Sequence, residues 1–220
     1  MYIDSHAHLN LDAFRDDADT VIQNALSEDT WMINAGINYE SSCKALDLAN
    51  RYEKGVYAAV GLHPSNLFDY TDDDGTKYMA EDFNYDVYEK LGKFEKTIAI
   101  GEVGLDYYHL NPSITPKEQK DRQKEVLWEQ LRLARNLDLP ALIHCRQAHD
   151  DMVELLKEFR KEFINLMPKN KPWAVMHCFS GDEDLAWQYF NLGVIISFTG
   201  LVTFSQQFDD MIRRLPPDKF

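Results

Sequence analysis

Short apolar, β-rich runs alternate with helical patterns along almost the whole chain, and this alternation restricts the possible folds more than any other feature. Strands are expected near residues 2–8, 30–36, 56–62, 97–102, 140–145, 173–178 and 194–199. Helices are expected around 13–27, 41–53, 116–137, 148–165 and 183–192, with a last one from Gln206 to Leu215. Thr115-Pro116-Lys117-Glu118 reads as a capping box with proline at the first helical position. Met152, Leu155, Leu156, Phe159 and Phe163 mark one buried helical stripe. Asp182 suits a helix start and Gly193 a stop.

Regular strand–helix alternation requires crossovers, and therefore parallel strands. Seven such units without a composition break favour a (β/α) TIM barrel over a doubly wound sheet, and Gly101-Glu102-Val103-Gly104 lacks the third glycine of a dinucleotide loop. No linker separates the units, so residues 1–220 are expected to form a single TIM-barrel domain. Eight units take about 250 residues, and this chain stops after Pro216-Pro217-Asp218-Lys219-Phe220, where an eighth strand should open. The expectation is a barrel lacking its eighth strand and helix, a C-terminally incomplete version of a longer protein.

Chemistry in such barrels collects at the C-terminal strand ends. Reading those ends in order gives His6 and His8, then His63, Glu102, His144 and His177. On a strand, alternate residues share a face, so Asp4, His6 and His8 are expected to point the same way. One such histidine would be an ordinary core residue; ligand types at nearly every strand end point to a metal site. Four imidazoles and a carboxylate are too many for one closed tetrahedral zinc site. They suit two divalent ions (Mg, Mn or Zn) about 3.5–4 Å apart, bridged by Glu102, with a metal-activated water as nucleophile. Two such ions outweigh one carboxylate and call for an anionic substrate, for which a phosphodiester is the obvious candidate. Lys117, the nearest lysine after the fourth strand, is too distant for a carbamylated bridge.

The net charge of −14 argues against a general nucleic-acid coat but not against nucleic acid at one metal-loaded cleft. Lys117, Lys120, Arg122 and Lys124 alternate with acids and form a solvated helix face. The acidic stretch from Asp69 to Gly75 is a solvated loop, since no glutamate closes an EF-hand frame. No secretory signal is readable ahead of the first strand, and no apolar run is long enough for a bilayer. Cys43, Cys145 and Cys178 form no disulfide framework and suit buried free thiols, so a cytoplasmic location is expected, with no readable protein partner.

Asp4-Ser5-His6-Ala7-His8, Val60-Gly61-Leu62-His63-Pro64, Gly101-Glu102-Val103-Gly104-Leu105-Asp106-Tyr107, His144-Cys145-Arg146 and His177-Cys178-Phe179-Ser180-Gly181 together resemble the successive motifs of TatD-type metal-dependent deoxyribonucleases. The resemblance runs in order from residue 2 to the end. It implies a barrel hydrolase that cleaves DNA phosphodiesters at DNA ends or in single-stranded DNA, with 3'→5' exonuclease behaviour in some members. By that resemblance His6 and His8 hold a first ion, Glu102 bridges and serves catalysis, and His144 and His177 hold a second. The family's aspartate after its eighth strand has no counterpart here, and Asp218 reads as a turn residue.

Substrate contacts are expected from His63, Arg146 and Ser180. His63 faces the cleft or is a hydrogen-bonded core histidine; Arg146 clamps a phosphate or forms a surface salt bridge. Ser180 precedes a helix start that favours anions, although capping by Asp182 explains that helix equally well. Asp4 and Asp106 are expected to orient ligands, Tyr107 and Tyr108 to stack on a base or line a loop, and His109 and His149 to lie on the surface. Two rival functions remain open: a related metallohydrolase acting on a small amide, ester or phosphoester, and an inactive metal-binding barrel.

Overall fold

A computed structural model describes residues 1–71, 77–168, 171–204 and 206–220. The chain runs β1 (Tyr2–Ala7), α1 (Ala18–Ser27), β2 (Thr30–Ala35), α2 (Tyr39–Asn50), β3 (Val56–Val60), a short antiparallel pair β4 (Tyr70–Thr71) and β5 (Lys77–Tyr78), and α3 (Tyr85–Gly92). It continues through β6 (Thr97–Asp106), α4 (Pro116–Asn136), β7 (Ala141–Arg146), α5 (His149–Glu162), β8 (Ala174–Met176), α6 (Glu183–Asn191), β9 (Val194–Ile196) and α7 (Asp209–Arg214). Seven strands form one parallel sheet in the order β1-β2-β3-β6-β7-β8-β9, curled into a half-barrel with helices outside, as expected for a TIM-like barrel without an eighth unit.

Alternation along the strands sorts side chains onto two faces. Met32, Ala58, Val60, Ile100, Ala141, Ile143, Ala174 and Met176 join the large core under the helices. Ala35, Ala59, Ala99 and Leu142, with Ile33 and Val175, fill the inner face. Small side chains inside leave room above them, and period-two alternation carries that face upward from Ala59 to His63, Leu142 to His144 and Val175 to His177.

Two bulges complete the inner face. Between Ile100 and Val103, β6 takes three steps to the two that β7 takes, which turns Glu102 inward. Between Asp4 and Ala7, β1 does the same against β2. That extra residue puts His6 and His8 inside and Asp4 on the opposite face. The expected common face of Asp4, His6 and His8 is therefore corrected: Asp4 is exposed, and its carboxylate accepts the His6 backbone N–H at 3.0 Å.

The elements start and stop for local reasons. Asn38 and Ser41 form a capping box on α2, Thr115 caps α4 ahead of Pro116, and Asp182 caps α6. Gly193, at φ +80°, ends α6. Several bounds differ from expectation. Helix α1 begins at Ala18, after a separate 3-10 turn at Asp12–Phe14. Helix α3 was not legible, being only eight residues long. Strand β6 extends four residues further than expected. Pro217–Lys219 makes a 3-10 turn instead of opening a strand, and Phe220 packs on Phe198 at 5.7 Å between ring centroids. The three thiols are free but half-buried. Most of the acidic stretch Asp69–Gly75 lies outside the described residues. No helix among the described residues is long and apolar enough to cross a membrane.

Candidate metal centre

Glu102 stands at the middle of the inner face, 3% exposed. Its Oε2 lies 3.0 Å from His6 Nε2 and 3.4 Å from His8 Nε2. Its Oε1 lies 2.7 Å from His177 Nε2, 3.0 Å from His144 Nδ1 and 3.5 Å from His63 Nε2. One carboxylate thus divides five imidazoles into a pair and a trio. The rings pack on one another, with His6 stacked on His177 at 3.8 Å between centroids.

Glycines let β6 and β7 approach closely here. A Cβ on Gly104 would lie 1.9 Å from the His144 carbonyl oxygen, and one on Gly101 would lie 2.5 Å from Leu142 Cβ. Helix α4 then fixes the loops around the site with three buried glutamines. Gln130 binds both the N–H and the C=O of Leu62, Gln123 does the same for Asp106, and Gln119 for Asn111. Sequence reading missed these clasps, although Gln119, Gln123 and Gln130 fall on the same stripe as buried Val126, Leu127 and Leu131.

Ring hydrogen bonds settle which nitrogens face the centre. His8 Nδ1 lies 3.0 Å from the Ala35 carbonyl, which can only accept, so Nδ1 carries the proton and Nε2 offers a lone pair to the site. His63 has the opposite arrangement. Its Nδ1 accepts the Ser65 backbone N–H, so the neutral ring points an Nε2–H donor inward. His63 thus faces the cleft as a donor, even though it lies close enough to Glu102 and His144 to share an ion with them.

Burial lowers the His63 pKa to about 3, outweighing Glu102 and keeping the ring neutral. Burial works against ionised Glu102 too, but the imidazoles of His63, His144, His177 and His6 outweigh it and hold the carboxyl well below the usual range. For His144, the Asp106 and Glu102 carboxylates on either side overcome burial and push it up to about 9. Burial lowers His177.

The donor set fits a divalent cation. His6 Nε2 and both nitrogens of His177 are buried without a hydrogen-bond partner, although Glu102 oxygens lie 3.0 and 2.7 Å from the two Nε2 atoms. These pairs are close but wrongly oriented for hydrogen bonding. Each buried polar atom left unpaired costs about 1–3 kcal/mol, and a cation between the carboxylate and the imidazole lone pairs would satisfy the two Nε2 atoms. Ligand atoms of His6, His8 and Glu102 lie within 4.8 Å of one another, as do those of His63, Glu102 and His144.

The remaining candidates lie further out. Arg146 ends β7 and is exposed, its guanidinium 3.9 Å above the ring of exposed Tyr108. No carboxylate among the described residues lies within ion-pair distance of it. Ser180 is exposed before α6 and lines a groove with Asp182, Glu183 and Arg214; no hydrogen bond or ion pair joins it to the cluster. Tyr107 donates to Asp151 at 2.6 Å. Of the two histidines expected on the surface, His109 is exposed, its Nδ1 donating to Asp106 at 2.8 Å, whereas His149 is half-buried and bonds the Tyr189 hydroxyl at 2.8 Å. Lys117 pairs with Asp121 on the exposed face of α4.

The profile of the family described as TatD related DNase matches residues 3–220. The chain is 32% identical over 222 residues to the uncharacterised metal-dependent hydrolase YabD of Bacillus subtilis, covering all of this chain and 77% of that one. It is 34% identical over 171 residues to the 3'-5' ssDNA/RNA exonuclease TatD of Cronobacter sakazakii, covering 78% of this chain and 56% of the relative. The crystal structure of the TatD homolog YjjV from Escherichia coli superposes with a TM-score of 0.77 at 29% identity, over 98% of this chain and 75% of that one. A hydrolase of Entamoeba histolytica gives 0.75 at 25% identity, over 98% and 70% of the two chains.

Proposed function

The chain belongs to the TatD-related DNase family and is a metal-dependent hydrolase, and from that premise we propose that it cleaves phosphodiester bonds at the ends of DNA or in single-stranded DNA. The observation that carries the reading is the division of labour at Glu102, with Oε2 facing His6 and His8 and Oε1 facing His144 and His177. A carboxylate so placed suits a bridge between two divalent ions, His6 and His8 holding one, His144 and His177 the other. When bound, such ions supply Lewis acidity toward a phosphoryl oxygen and a nucleophilic water near neutral pH.

The chain's own residues supply the rest. Glu102 stays ionised and offers an oxygen to each side. His63 stays neutral and donates its Nε2–H to a phosphate oxygen. Arg146, stacked on Tyr108 at the rim, offers a planar fork of donors to the next phosphate. With a net charge of −14 over the whole chain, binding rests on this mouth and weakens steeply with salt. The relative named as a 3'-5' ssDNA/RNA exonuclease supports a single-stranded end as the substrate. Three free thiols suit the reducing cytoplasm.

Metal analysis beside an end-labelled DNA assay tests the proposal. Glu102→Ala is expected to lose bound metal and to reduce cleavage by more than the roughly 10–100-fold that loss of an outer-sphere partner causes. Unchanged metal content and cleavage would sink it. Faster turnover of a small phosphodiester or cyclic amide than of any DNA would move the assignment to another metallohydrolase.

A further inference from the structure

Of the five imidazoles around Glu102, four present Nε2 and His144 alone presents Nδ1. The reason lies behind the ring. His144 Nε2 is 3.1 Å from Asp106 Oδ2, on a side chain that is 1% exposed. Asp106 itself cannot turn. Its Oδ1 accepts the backbone N–H groups of Tyr108 and His109, both at 2.9 Å, its Oδ2 also receives His109 Nδ1–H at 2.8 Å, and Gln123 clasps its backbone on both sides. A carboxylate so held can only accept.

We propose that Asp106 is a positioning residue that keeps the proton of His144 on Nε2, so that Nδ1 is the donor atom offered to the centre. The inference rests on the reading of His144 as a metal ligand. A ligating histidine whose second nitrogen donates to a carboxylate has its tautomer and ring angle fixed. His109 and the 106–109 turn hold that carboxylate in place, which gives this loop a role that no single strand-end motif discloses.

The isosteric change Asp106→Asn makes the proposal sharp. The two backbone N–H groups keep the amide oxygen at the Oδ1 position, so the NH2 group replaces Oδ2 and faces His144 Nε2 with a donor. The ring must then accept through Nε2 and carry its proton on Nδ1, pointing at the metal centre. The variant keeps size, shape and the two backbone bonds of the turn, gives up the bond from His109 Nδ1–H to Oδ2, and presents the wrong nitrogen.

The test uses the full chain, 15N-labelled, titrated with Zn2+ as a diamagnetic probe. Long-range 1H–15N spectra read the ring nitrogens, and a chromophoric chelator reads affinity. The expected wild-type result is a protonated Nε2 and a zinc-shifted Nδ1 on His144. Asp106→Asn is expected to lower Zn2+ affinity about 10–100-fold with the backbone amide spectrum kept. Zinc held through Nε2 of wild-type His144, or wild-type affinity in Asp106→Asn, overturns the proposal while leaving the ligand reading intact. No zinc shift on either nitrogen overturns both. The wild-type spectrum decides even if the variant fails to fold.

Discussion

Glu102 and His144 stand on β6 and β7, inside the sheet; His6 and His8 stand on or just after β1, which ends it. Strand β6 is buried at nine of its ten positions, whereas the first three residues of β1 are all exposed. Behind Glu102 and His144 lie two glycines, a buried carboxylate and a glutamine clasp. Behind His8 is one carbonyl, and beneath His6 is one exposed aspartate. Two halves of one cluster are therefore fixed by unequal means. The interior half is over-determined by packing, and the edge half takes its place from a bulge and a few hydrogen bonds.

The strongest way to break this contrast is Gly104→Ala, which drives a Cβ to 1.9 Å from a backbone oxygen. A loss of about 3 kcal/mol or more is expected in urea unfolding; a smaller loss would mean that β6 and β7 can part without cost.

Protonation gives the next effect. In metal-free protein, His144 is pushed up to about 9 from an ordinary 6.5. Because the folded value is the higher one, the stabilisation is complete below about pH 6.5 and disappears as pH climbs through 9. It amounts to at most about 3 kcal/mol. His8 is raised as well, Glu102 outweighing its burial, and adds in the same direction. Urea midpoints in chelator should fall over that window, and His144→Gln should flatten the profile. A wild-type profile that rises from pH 6.5 to 9 would contradict the electrostatic reading.

The smallest expected effects sharpen the comparison most directly. Gln123→Ala leaves the N–H and C=O of buried Asp106 without their partner and should cost about 2 kcal/mol. Asp4→Ala, on the exposed edge strand, should stay within about 0.5 kcal/mol. Equal losses in paired unfolding curves would erase the distinction between the two halves.

Much of this was readable from sequence because the information is local. Period-two runs ending in His63, His144 and His177 put each of these residues near a strand end, and alternation assigned the face. What was not readable depends on pairing between strands. The bulge that turns Asp4 away from His6 exists only in the register of β1 against β2, and the one that brings Glu102 inward only in that of β6 against β7. His109 is the exposed loop residue expected, but its bond to Asp106, three positions before it, is disclosed only when the turn folds. The glutamines of α4 were hidden among the helix's charges, since their partners lie after β3, at the end of β6 and in the connection that follows it.

The α4 clasps have a consequence for how the molecule answers its surroundings. Carboxamides neither ionise nor attract counter-ions, so the backbone at Leu62, Asp106 and Asn111 is held by groups indifferent to acidity and ionic strength. The imidazoles they frame are sensitive to both. Scaffold and imidazoles thus obey different solution variables.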